Sequence, residues 1–304
     1  MECLRMLRRR TTIYFRAVRG PFLVASAIPV LLGTAVAYAR LGRLNLPCFG
    51  MALLGCMALH AGANAANDYF DWLSGADPPR PPRPFSGGSQ CLQEGSMTPR
   101  AQRRLYCSCY LLACLLGIVL AREVGPGVLL FGLIGLVFGH GYSAPPSAFS
   151  YRGWGEAVTG LTFGPLAVLG TYYVQVGALH WPPLLASIPV GLLITAVLYI
   201  NEFPDWEEDA RARRKTLVVR SGGRLFAAYQ ALVVAGLIFT AITLISLSFW
   251  LAGALLPLIW LSVTSIRQGK RCYPQPERLT PVQAKTLALH VGSGLLLTIA
   301  HLCS

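Results

Sequence analysis

Apolar stretches of about 17–25 residues, the length that crosses a bilayer as a helix, follow one another along almost the whole chain. Nine are read, at roughly 20–40, 47–67, 104–121, 125–143, 155–175, 183–203, 224–246, 248–266 and 283–302. A soluble bundle of 304 residues needs polar helix faces, and most of these stretches lack one; 54% of the residues are hydrophobic. Small residues inside the spans, Gly33, Gly164 and Gly170 among them, suit close helix packing in lipid. Pro29, Pro165 and Pro189 are tolerable there, because neighbouring helices re-satisfy the freed backbone. The expected fold is an all-α polytopic membrane protein, a bundle of about nine transmembrane helices. It forms one domain over 1–304, with cap loops at 68–103 and 204–223.

The charges set an expected orientation. Arg5, Arg8, Arg9, Arg10, Arg16 and Arg19 precede the first span, and Arg80, Arg83, Arg100, Arg103 and Arg104 fall between the second and third. Arg152 follows the fourth, a basic run from Arg211 to Arg224 follows the sixth, and Arg267 to Lys285 precede the last. The opposite ends keep Arg40, Arg43 and Arg122. The excess of bases on one side predicts a multi-pass protein of the cell inner (cytoplasmic) membrane with a cytoplasmic N-terminus. Topology accounts for the net charge of +13, so nucleic acid is not an expected partner. The Arg-rich start runs into a span with no small-residue cleavage site and reads as a signal anchor. The nine cysteines show no metal-ligand spacing and read as membrane-core thiols. His60 and His140 lie nearest the cytoplasmic span ends, and each reads as a packed core or interface residue.

Against that apolar and basic background, acids are few and clustered. Of thirteen, eight fall in two windows: Asp68, Asp71 and Asp77, then Glu202, Asp205, Glu207, Glu208 and Asp209. Asn64, Asn67, Asp68 and Asp71 have offsets 0, 3, 4 and 7, and Asn201, Asp205, Glu208 and Asp209 have offsets 0, 4, 7 and 8. Each set shares one helix face. Pro204 is expected to kink the second helix near its stripe, because its ring clashes with the carbonyl of Ile200. Spans 2 and 6 each end in acids followed by bases, with four spans between, which suggests a duplicated helical unit. Oxygen-only ligands of this kind suit Mg²⁺, which takes one or two carboxylates and completes its shell with water and substrate phosphate. The alternative is that these acids merely pair with nearby arginines as loop charges. The loop 77–90 is too proline-rich for a helix and is expected to cap the cavity.

Asn67-Asp68-Tyr69-Phe70-Asp71 with Asp77 resembles the first Asp-rich motif of the UbiA superfamily of intramembrane prenyltransferases. Asn201 through Asp209, followed by Lys215-Thr216-Leu217-Val218-Val219-Arg220, resembles the second. The likeness extends through Tyr142-Ser-Ala-Pro-Pro146 and Tyr151-Arg152-Gly153-Trp154-Gly155-Glu156, and is closest to the MenA branch, the 1,4-dihydroxy-2-naphthoate polyprenyltransferases of menaquinone synthesis. The chain departs from the pattern at Gly75, where some branches carry an acid, at Ala212-Arg213-Arg214, where a glycine is common, and in the insert Pro78–Pro84.

The resemblance implies transfer of a polyprenyl group from an allylic diphosphate to an aromatic acceptor at a site facing the cytoplasm. It implies Mg²⁺ held by Asn67, Asp71, Asp77, Asn201, Asp205 and Asp209, with Asp71, Asp205 and Asp209 central to catalysis. Arg19, Arg152 and Lys215 are the implied diphosphate ligands, and Asp68, Tyr69 or Tyr142 the implied proton acceptor. The expected partners are the two substrates and the lipid bilayer. The same chemistry on 4-hydroxybenzoate, homogentisate, haem or a glycerol-phosphate lipid stays open. So does an ion transporter, although the acids crowd span ends and not the midplane that transporters favour.

Overall fold

The computed structural model describes the backbone of residues 2–304 and the side chains of 10–275 and 277–304. The side chains of Arg5, Arg8 and Arg9 lie outside that set. Every regular element among the described residues is helical: α1 (Glu2–Ala17), α2 (Val24–Leu41), α3 (Leu46–Ser74), α4 (Pro99–Val124), α5 (Gly127–Gly141), α6 (Gly155–Leu161), α7 (Ala167–Val176), α8 (Pro182–Glu202), α9 (Trp206–Arg211), α10 (Leu217–Arg220), α11 (Phe226–Leu247), α12 (Leu255–Cys272) and α13 (Thr280–Leu302). Among the described residues, eight helical segments are long and apolar enough to cross a membrane. The stretch expected at 125–143 forms the shorter apolar helix α5, of 15 residues.

Two boundaries matter for function. α3 runs 29 residues, about 43 Å at 1.5 Å per residue, longer than a hydrocarbon core of about 30 Å. Its start is capped by the Asn45 side chain, which accepts from Cys48 N–H at 3.1 Å. Gly75 ends it at φ +73, a conformation glycine adopts without cost. Residues 68–74, expected as the start of a loop, are therefore helix, and the acid stripe stands on a rigid rod. At the second stripe, α8 gives way to a 3₁₀ turn over Phe203–Asp205 and then to α9, the break that Pro204 dictates.

α8 is the axis of the bundle and packs against α2, α6, α11 and α13. α6 and α7 form one span joined by a π-helical turn, Thr162–Leu166, that contains Pro165. Gly164 of this turn faces Gly191 of α8 so closely that a Cβ on Gly164 would lie 2.8 Å from the Gly191 Cα. Backbones meet here, and nothing flexible can give way. Gly164→Leu is expected to destabilise the fold by about 3 kcal/mol, read as a lowered thermal midpoint in detergent; an unchanged midpoint would disprove the close crossing. Tyr229 ties three helices together through its hydroxyl, 2.6 Å from Ser265 Oγ and 2.7 Å from Thr286 Oγ1.

Candidate active site

The two acid stripes meet at one end of the bundle. The guanidinium of Arg214 joins them: Nη2 donates to both oxygens of Asp71 at 2.6 Å, and Nη1 donates to Asp209 Oδ1 at 3.1 Å. Asp71 also accepts from the Asn67 amide at 2.8 Å and the Tyr151 hydroxyl at 2.8 Å. The Tyr151 ring lies beneath Arg214, 4.7 Å from ring centre to guanidinium carbon. Arg19 pairs with Asp68 and donates to Asn67 Oδ1 at 2.7 Å. It holds φ +53, a strained backbone for a residue with a Cβ and one that clusters at functional sites.

The proline-rich segment folds over this end as a cap. Arg80 pairs with Glu208, and Arg83 donates to Asp205 Oδ1 at 2.8 Å. The N–H groups of the glycine turn point at carboxylates: Gly87 N–H lies 2.7 Å from Asp205 Oδ2, and Ser89 N–H 3.1 Å from Asp68 Oδ2. Gly88, at φ +70, presses on Asp77, where a Cβ would stand 2.5 Å from Oδ2. Acid–arginine pairing, the plainer reading of these clusters, is thus present, but as a part-buried network joining distant segments and not as separate loop pairs.

Beneath the network lies a cavity of about 580 Å³. Arg19, Asn67, Asp71, Asp77, Tyr142, Asn201, Asp205 and Asp209 all line it. Four expected site residues do not. Arg152 is exposed and donates to Pro146 O at 2.8 Å. Lys215 is exposed beside it in the fold, its N–H 3.3 Å from Tyr151 O. Asp68 is buried against Arg19 and the cap, and Tyr69 packs on Phe70 and Tyr106. The site also contains residues to which the sequence assigned no individual role: Arg214, Glu202 and Tyr151. Arg214 lies in the basic run just past Asp209, from which the expected diphosphate ligand was the adjacent Lys215. The lower cavity is apolar, and Ile118, Leu129 and Leu133 line it while keeping 44%, 46% and 59% exposure, which leaves it open sideways between α4 and α5.

The electrostatics favour added positive charge. Burial, and then the Asp71 carboxylate, pushes Asp77 up to about 7. Arg214 stays charged against the cost of burial because Asp71 and Asp209 hold it so. Asn201 Oδ1 and Glu202 Oε2 are buried without a partner among the described residues. Among the described residues no three His, Cys, Asp or Glu side chains form a ready cation cage. An all-oxygen donor set with unpartnered oxygens, lacking a closed cage, fits a hard cation that shares its shell with a ligand, as Mg²⁺ does.

The profile of the UbiA prenyltransferase family matches residues 26–282. The 2-carboxy-1,4-naphthoquinone phytyltransferase of Synechocystis sp. is 29% identical over 95% of this chain and 92% of its own. The 1,4-dihydroxy-2-naphthoate octaprenyltransferase of Bacillus subtilis is 29% identical over 96% of this chain and 93% of its own. A UbiA homolog from Archaeoglobus fulgidus, solved bound to GPP and Mg²⁺, shares the fold with a TM-score of 0.61 at 17% identity, over 94% of this chain and 99% of that one. With two acid stripes over one membrane-embedded cavity and a family match across most of its length, the chain belongs to the UbiA prenyltransferase family.

Proposed function

We propose that the protein transfers a polyprenyl group from an allylic diphosphate to 1,4-dihydroxy-2-naphthoate in menaquinone synthesis, at the cytoplasmic face of the cell inner membrane. The observation that carries this reading is the junction of Asp71 and Asp209 through Arg214 above an apolar cavity open to the side. A charged head and a long apolar tail need those two environments, end to end. The two relatives differ in tail, phytyl against octaprenyl, and agree on a naphthalene ring bearing a carboxyl group, which favours that ring class as acceptor.

Asn67, Asp71, Asp77, Asn201, Asp205 and Asp209 would hold Mg²⁺, whose charge stabilises a leaving diphosphate. Arg19 and Arg214 supply fixed positive charge at the head of the cavity. Such charge, aimed where negative charge develops, lowers the barrier to ionisation. The apolar walls exclude water from the allylic cation, and Arg80 and Arg83 hold the cap across both stripes. The ring carbon of the acceptor attacks the cation, and the naphthoate carboxyl group leaves as CO₂.

The test is a product assay on the purified protein in detergent, with polyprenyl diphosphates of several lengths and Mg²⁺. The acceptors are 1,4-dihydroxy-2-naphthoate, 4-hydroxybenzoate and homogentisate, read by mass spectrometry. The expected result is a decarboxylated prenyl-naphthol, abolished by EDTA. A product with another acceptor alone overturns the menaquinone assignment, and turnover that persists in EDTA overturns the metal requirement.

A further inference from the structure

Among the titratable side chains that line the cavity and that the reaction above does not use is His60. His60 lies on α3 at offsets 4, 7 and 11 from Asn64, Asn67 and Asp71, on the same face, about 10 Å along the axis from Asn67. It lines the cavity. Its Nδ1 is 3.2 Å from Ser26 Oγ, and Ser26 directs its own proton to Leu23 O at 2.8 Å. The serine oxygen therefore accepts, and this network places the ring hydrogen on Nδ1. Phe163 packs edge-on against the imidazole, with centroids 4.9 Å apart at 78°, and fixes its plane. Nε2 is left with a lone pair and, among the described residues, no protein partner. The sequence reads His60 as a core or interface residue, and Ser26 satisfies its Nδ1. Thr162, whose hydroxyl is buried without a partner among the described residues, lines the same cavity one residue before Phe163.

We propose that His60 accepts a hydrogen bond from a ring hydroxyl of the aromatic acceptor, and so selects hydroxyarenes and orients the ring. This rests on the prenyl-transfer reading above. An unmet acceptor nitrogen in apolar surroundings calls for a donor. A hydroxyarene offers one O–H on a flat apolar body, and a polyprenyl tail offers none. Ser26 and Phe163 hold the imidazole ready and act as positioning residues.

The experiment compares kcat/KM for 1,4-dihydroxy-2-naphthoate and its two monomethyl ethers in the wild type, His60→Phe and Ser26→Ala, all full-length in detergent. In the wild type, methylating the hydroxyl that reaches His60 is expected to cost about tenfold, the worth of one hydrogen bond. In His60→Phe that penalty vanishes, while KM for the polyprenyl diphosphate stays at the wild-type value. Should His60→Phe fail to fold, Ser26→Ala carries the test, because an imidazole freed to change tautomer must show a smaller ether penalty. A penalty undiminished in the folded variants, or a diphosphate KM that shifts as much as the acceptor KM, overturns the assignment of His60 alone. A wild type that prenylates no hydroxyarene overturns the prenyl-transfer reading with it.

Discussion

Asp71→Asn is expected to lower turnover by at least about 100-fold while the protein still folds and inserts. Asp71 is 1% exposed, and its two oxygens take hydrogen bonds from Arg214, Asn67 and Tyr151. Asparagine keeps the size and one acceptor oxygen, and Asp209 still neutralises Arg214, so the packing survives. What disappears is the negative charge that would grip a cation and, through it, the diphosphate. Asp205→Asn acts on the other stripe and is expected to match it, since Asp205 lines the same cavity beneath Arg80 and Arg83. Initial rates, with thermal midpoint and gel-filtration profile as folding controls, decide the matter. Full residual activity in a folded variant removes that residue from the proposed metal site.

Membrane spans were legible because hydrocarbon demands length and apolarity, and the chain supplies both openly. The end of α3 was less so, because Asn67 to Asp71 reads as polar loop by composition and as helix only by its spacing; the helix continues to Ser74. A kink at Pro204 was legible from the clash of its ring with the preceding turn, and the helix goes further and gives way to a 3₁₀ turn there, whereas the π-turn at Thr162–Leu166 was not legible, since its register depends on where Gly164 meets α8. α1 is a separate helix that turns at Arg19 before span 1, although its arginines read as a continuous anchor. Within the site, oxygen ligands announced themselves by type and spacing. Cations did not: Arg213, Arg214 and Lys215 are chemically alike in sequence, and only the return of the chain past Tyr151 sends Arg214 inward and leaves Lys215 outside.

That inward arginine yields the sharpest stability effect. Arg214→Ala leaves Asp71 and Asp209 buried and facing each other without a cation, and truncating one partner of a buried pair costs about 3–5 kcal/mol. The thermal midpoint in detergent is expected to fall accordingly. Arg214→Lys should fall between wild type and alanine, because an ammonium keeps the charge and lacks the planar fork that reaches two carboxylates at once. Millimolar Mg²⁺ is expected to restore part of the alanine variant's midpoint and to change the wild type less, since a cation then replaces the guanidinium between the same oxygens. A midpoint in Arg214→Ala equal to the wild type would mean that the ion pairs do not hold the stripes together. A loss that Mg²⁺ leaves untouched would mean that Asp71 and Asp209 do not share a cation. Stability alone, measured without any substrate, therefore tests whether two acid clusters distant in sequence form one site.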